Sequence, residues 1–254
     1  MMLTDGFEEY YGTEPTVITY DTFYSTDANN LWNLLFDPIG NHQIPREQIV
    51  ALMAKGAKGI VVDEDGGILR EDFDSSCAVG LGFSSEKDDS QVLEVCRSAV
   101  KKYVTVRGHI LSKINQYKES FVGKVVGIHY RGTDKPRELL PYLKATGREE
   151  RIPSIKEYID TAEKYHPDTI FIATDCQRAL DEAIRIKPNI IYTDSVRSKD
   201  EVSLHEGNGN ECRAEESLID TYLLSNCHHI VHSLSNIPQA AFMINESLTG
   251  TFLL

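Results

Sequence analysis

The sequence predicts an α/β chain whose C-terminal half is a parallel sheet with helices on both faces. Three observations carry that prediction. Four short apolar stretches, Lys124–Tyr130, Thr169–Ala173, Asn189–Tyr192 and His229–His232, have strand length and are too short for core helices. Amphipathic segments lie between them, the order of elements that βαβ units produce. Each stretch also ends in polar residues, where ligands of such sheets sit, beyond the carboxyl ends of the strands.

The elements follow in chain order. Before residue 121 the pattern is mixed, with a β-like Thr16–Tyr20, helix candidates Asn29–Phe36 and Arg46–Lys55 (after Pro45), and a buried-strand candidate Gly59–Val62. Residues 90–120 read as one long helix, because Val92, Val95, Cys96, Ala99, Tyr103, Val106, Ile110 and Ile114 keep a three-and-four spacing with Lys and Arg opposite. The expected division is therefore an N-terminal lobe, 1–120, ending in this linking helix, and a C-terminal lobe, 121–254. In the second lobe, helices are expected over Ser154–Tyr165 with Ser154 as N-cap, over Arg178–Ile186 stopped by Pro188, over Ala214–Asn226, and after Ser235.

Composition narrows the function. Thirty-nine acidic against 26 basic residues leave a formal charge of −13, which argues against a nucleic-acid partner and against an anionic lipid surface. A small anion remains compatible, since one local arginine or helix terminus outweighs distant charge. No apolar run reaches the ~18–20 residues of a membrane span, and the acidic first eleven residues do not read as a signal peptide. Five scattered cysteines form neither a CxxC pair nor a disulfide framework, so a reduced, cytoplasmic setting is expected.

The residues that carry chemistry cluster after the strands. Arg131 offers a planar fork of donors matched to a phosphate, Thr133 adds a hydroxyl, and Asp134 is placed to orient Arg131 or Lys135. Thr174-Asp175 closes the second strand, Thr193-Asp194-Ser195 the third, and Ser233 to Asn236 the fourth. The long polar stretch from Asp194 to Arg213 reads equally as a functional lid or as plain disorder, and the lid reading puts Arg197, Ser198 and His205 second in line as site residues. Two metal readings are set aside. Asp63-Glu64-Asp65 stands beside Gly66-Gly67 and reads as a turn, and His228, His229 and His232 lack a completing acidic or thiol ligand.

The string His129-Tyr130-Arg131-Gly132-Thr133-Asp134-Lys135 resembles the H-x-R-x-T-D-K motif of α1,6-fucosyltransferase, NodZ-like and protein O-fucosyltransferase relatives at all five specified positions. Phe171–Asp175 and Glu216–Asn236 look like two further blocks of that family, and the resemblance covers roughly residues 121 to 245. It implies a GT-B-like fold of two Rossmann-like lobes, the N-terminal one small or incomplete here. It also implies a metal-independent, inverting glycosyltransferase that moves fucose from GDP-fucose to a glycan hydroxyl. Arg131 would then bind the β-phosphate, His129 and Asp220 the base, and Ser235 and Asn236 the diphosphate, with no cofactor beyond the nucleotide sugar.

A carboxylate such as Asp220 suits guanine, whose N1–H and N2–H₂ edge presents two donors, better than uracil, which presents one donor between two acceptors. Two alternatives stand beside this reading. One keeps the fold and takes a UDP-sugar such as UDP-xylose. The other is a non-catalytic nucleotide- or glycan-binding protein, suggested by an N-terminal half that lacks a Gly-rich strand–turn start.

Overall fold

A computed structural model describes residues 31–39, 61–62, 68–70, 89–133, 140, 143–144, 151–199, 211–233 and 235–253. The chain forms two compact units, residues 1–107 and 108–254. The expectations for Thr16–Tyr20, Arg46–Lys55, Asp63–Asp65, Asp134, Lys135 and His205 lie outside the described residues, as does most of the expected N-terminal lobe.

In the first unit, α1 (Leu31–Leu35), an antiparallel pair β1 (Val61–Val62) and β2 (Ile68–Arg70), and α2 (Asp89–Tyr103) are described. The single helix expected over 90–120 is two, because α2 ends at Tyr103 and α3 begins at Gly108. The β-branched run Val104-Thr105-Val106 leaves the helix for an extended path. There Val106 bridges Phe36, the Asp37 amide donates to the Thr105 carbonyl at 2.7 Å, and the Arg107 amide donates to the Leu35 carbonyl at 3.0 Å. The apolar rhythm runs across the break because Val106 serves that bridge instead of a helix face.

The second unit is the α/β body. Its sheet holds β3 (Val125–Tyr130), β4 (Thr169–Thr174), β5 (Ile191–Tyr192), β6 (His229–His232) and β7 (Thr249–Phe252), in the order β5-β4-β3-β6-β7, all parallel. The first four match the expected strands. β7 was not foreseen, since Thr-Gly-Thr-Phe is polar, largely exposed and at the sheet edge, and so carries no apolar run.

Parity along β3 sorts the two faces. Val126 and Ile128, with Ile170, Ile172 and Val231, pack under α4 (Ile155–Glu163) and α5 (Gln177–Ile186) around Tyr158, Ile159 and Leu180. The opposite parity, Gly127 and His129, faces α6 (Glu211–Ser225): a Cβ at Gly127 would stand 2.9 Å from both Leu224 Cδ2 and Cys227 Sγ, so glycine there lets α6 lie close on the strand. α4 starts with a full capping box, in which the Ser154 amide donates to Glu157 Oε2 at 2.8 Å and the Glu157 amide donates to Ser154 Oγ at 3.4 Å.

This strand order fixes where a ligand can lie. The chain moves outward from β3 through β4 to β5, then returns to place β6 and β7 on the other side of β3. The switch point is therefore between β3 and β6, and the crevice opens above their carboxyl ends. Among the described residues no helix is long and apolar enough to cross a membrane.

Candidate functional site

Three corners stand at the carboxyl end of the sheet. At the first, β3 is followed by the turn Arg131-Gly132-Thr133, and β4 by Asp175. The Asp175 carboxylate gathers the turn: Oδ1 accepts from the Gly132 amide at 2.9 Å, Oδ2 accepts from the Thr133 hydroxyl at 2.7 Å, and Arg131 Nε lies 3.7 Å from Oδ2. Gly132 is required by space, since a Cβ there would stand 2.8 Å from Cys176 Cβ and 2.9 Å from Tyr130 Cε1. Arg131 keeps about a quarter of its side chain exposed (23%), while Thr133 and His129 are buried.

At the second corner the chain leaving β5 turns inward. The Thr193 hydroxyl donates to Asp220 Oδ1 at 2.7 Å and lies 2.7 Å from Ser195 Oγ. Arg197 folds onto this turn, its Nη1 donating to the Ser195 carbonyl at 2.9 Å and its Nη2 to the Thr193 carbonyl at 2.6 Å. The Arg197 guanidinium also stands 5.6 Å from the Tyr192 ring, and its Nε is buried without a hydrogen-bond partner among the described residues. Asp220, on α6, is 8% exposed. Burial pushes its carboxyl up to about 7; the Thr193 hydrogen bond and the Arg197 charge oppose that rise, and Glu216 adds to it. A cleft of about 570 Å³ flanks this corner, between α3 and the start of α6, lined by Lys113, Tyr117, Ser195 and Glu216 among others.

At the third corner β6 leads through Ser233 and Ser235 into α7 (Asn236–Ile244). Ser235 is the N-cap, in extended backbone (φ −167°, ψ 154°), yet its side chain makes no capping bond. The Asn236 and Ile237 amides therefore open α7 without a side-chain cap, and Pro238 has no N–H. This is the reverse of α4, and it leaves the partial positive charge of the helix start directed at the crevice. Ser233 is buried and hydrogen-bonded to Tyr158, whose hydroxyl burial pushes up to about 12.

The expected site residues separate into groups. Arg131, Thr133 and Asp175 come together at one corner, and Ser235 and Asn236 stand across the switch point from them. His129 lies on β3 in register with His232 of β6, on the sheet face that α6 covers. Thr174 is buried and accepts from the Cys176 amide at 3.3 Å, which shapes the turn after β4. Ser198 extends the sheet: its amide donates to the Asp175 carbonyl at 2.8 Å and its carbonyl accepts from the Gln177 amide at 2.9 Å.

Thr193 and Ser195 were legible only as the polar end of the third strand, and their link to Asp220 was not foreseen. Among the described residues no group of three or more His, Cys, Asp or Glu gathers as metal ligands would. His228 Nδ1 accepts from the Val125 amide, while His229 bonds Thr249 and Thr251 and stacks on Tyr165.

The chemistry available is thus a guanidinium and two helix-start amides flanking one crevice, with a buried carboxylate on α6 beside two hydroxyls. The first pair suits a diphosphate. The carboxylate suits a base edge that presents N–H donors.

No family model and no curated protein matches the chain. Among solved structures it is similar to NodZ alpha-1,6-fucosyltransferase co-crystallized with GDP, at 14% identity over 89% of this chain and 79% of that one, with a TM-score of 0.49. It is similar also to fucosyltransferase NodZ from Bradyrhizobium, at 15% identity over 89% and 80% of the two chains, TM-score 0.49. POFUT1 in complex with GDP-fucose is a third such structure, at 12% identity over 67% of this chain and 51% of that chain, TM-score 0.43.

Proposed function

We propose that the chain is a glycosyltransferase that takes a GDP-sugar, GDP-fucose, and passes the sugar to a glycan hydroxyl with inversion at the anomeric carbon and without a metal. One observation carries the reading. Arg131, braced by Asp175, and the uncapped start of α7 flank the switch point between β3 and β6. The HYRGTDK resemblance supplies the sugar-transfer class and the fucose. The buried carboxylate of Asp220 supports guanine over uracil.

Departure of GDP from the sugar builds negative charge on the β-phosphate and oxocarbenium character at the anomeric carbon. Arg131 and the amides of Asn236 and Ile237 meet that charge as preorganised donors, an effect worth several kcal/mol in rate. The acceptor oxygen attacks from the face away from the diphosphate and loses its proton as the new glycosidic bond forms. In this reading residues 1–120 present the acceptor.

Arg131→Ala is expected to lower the rate of GDP release from GDP-fucose in the presence of acceptor by at least about 10²-fold while leaving the circular-dichroism melt unchanged. Wild-type turnover in that variant would defeat the assignment. A thermal-shift series with GDP, UDP and ADP tests the base: stabilisation by UDP alone would replace the donor with a UDP-sugar. A nucleotide shift with no released diphosphate under any acceptor would leave a binding protein.

A further inference from the structure

We infer that Thr193 is the positioning residue for base recognition: its hydroxyl pins one oxygen of Asp220, so that the carboxylate presents both oxygens in one plane to the two-donor edge of guanine. The inference rests on the functional reading above and adds a residue that the sequence motifs do not single out.

The geometry supports a directed chain of hydroxyls. An ionised carboxylate only accepts hydrogen bonds, so Thr193, 2.7 Å from Asp220 Oδ1, must donate to it. Thr193 has a single O–H, and its oxygen then accepts from the Ser195 hydroxyl at 2.7 Å. Both residues are held by their own carbonyls, which Arg197 grips at 2.6 and 2.9 Å. Thr193 is 2% exposed, so water has little access to take its place. Among the described residues no other donor bonds Asp220, which leaves one lone pair of Oδ1 and those of Oδ2 for a ligand.

Guanine uses both oxygens, through N1–H and the 2-amino group. Hypoxanthine keeps N1–H and lacks the amino group, so the ratio of GDP to IDP affinity reads the alignment of the carboxylate plane.

Protonation state follows the same link. Only ionised Asp220 accepts on both oxygens, and Thr193 favours that form while burial opposes it. Among the described residues, the other charged groups that act on Asp220 are Arg197 on the β5 turn and Glu216 on α6. Lys113 and His109 of α3 are turned toward Glu215. All of these are common to wild type and a Thr193 variant, so a shift between the two proteins belongs to the hydroxyl.

Isothermal titration of the full chain with GDP and IDP from pH 6 to 8 tests this, on wild type, Thr193→Val and Thr193→Ser. Wild type is expected to favour GDP by about 10–100-fold, the worth of one hydrogen bond to a charged group. In Thr193→Val the ratio is expected to fall below about threefold, and the pH at which GDP affinity is half lost to rise above its wild-type position near 7. Thr193→Ser, which keeps the hydroxyl, is expected to restore both. A folded Thr193→Val with the wild-type ratio and pH curve overturns the inference. So does a folded Thr193→Ser that loses them, which keeps the question decidable should the valine variant not fold. Wild type that binds no GDP, or binds GDP and IDP alike, would instead sink the guanine reading on which the inference stands.

Discussion

Asp175 and Asp220 are two carboxylates at neighbouring corners of one sheet, and the protein treats them in opposite ways. Asp175 is surrounded by donors: the Gly132 amide, the Thr133 hydroxyl and the nearby Arg131 guanidinium. Asp220 is sunk into α6 with one hydroxyl on one oxygen, and its charged form is disfavoured by burial. The first carboxylate has its hydrogen-bonding capacity engaged within the protein, which makes it a brace. Among the described residues the second accepts only the Thr193 hydroxyl, and in the proposed reading its remaining capacity meets the base. Removing the two should therefore affect stability with opposite signs.

The largest effect is expected from Asp175→Ala. The Gly132 amide and the Thr133 hydroxyl lose the acceptor they share and Arg131 loses a nearby counter-charge, at a cost of about 1–3 kcal/mol for the Gly132 amide in its partly buried turn. Arg131 then loses the carboxylate that braces it, and turnover should fall by about 10²-fold, close to the loss from Arg131→Ala itself. The double variant should be scarcely worse than either single one, because both disable one element. Additive losses in a kinetic double-mutant cycle would show instead that Asp175 acts apart from Arg131.

How far the sequence discloses this contrast depends on the range of each interaction. The strands were legible because β3 and β4 are buried on both faces and read as unbroken apolar runs. Arg131 was legible because its neighbours in the motif are also its neighbours in sequence. The brace was not, because Asp175 reaches Gly132 and Thr133 from more than forty residues away. Thr193 was hidden for the same reason, its carboxylate partner lying 27 residues on, in a helix whose Asp reads as a polar edge. The helix break at Val104–Arg107 was hidden by a periodicity that a β-bridge satisfied as well as a helix would.

A second, smaller effect sharpens the contrast through pH. GDP should bind the ionised form of Asp220, whose carboxyl sits near 7 before ligand arrives. Affinity should then be about tenfold weaker at pH 6 than at pH 8, falling tenfold per unit below that. Asp220→Asn should flatten the profile while binding GDP weakly, since its amide offers one acceptor and one donor to an edge that needs two acceptors. A flat wild-type profile would place the base away from Asp220.

The smallest effect is the most diagnostic, because its sign is unusual for a change within a binding site. Burial raises the folded-state pKa of Asp220 from an ordinary 3.8 to about 7. Below about pH 4 the carboxyl is protonated in both folded and unfolded chains and costs nothing. As pH rises toward 7 the unfolded chain ionises first, so the folded state loses stability over that window and recovers none of it above. Asp220→Asn removes the ionisation yet still accepts from Thr193. The ligand-free variant should therefore be more stable than wild type at pH 8, on the order of 1–3 kcal/mol, with the gap closing toward pH 5. Urea melts of the ligand-free proteins at the two pH values would measure it. A variant less stable than wild type at pH 8 would mean that Asp220 is a brace like Asp175, and the division between the two corners would fall.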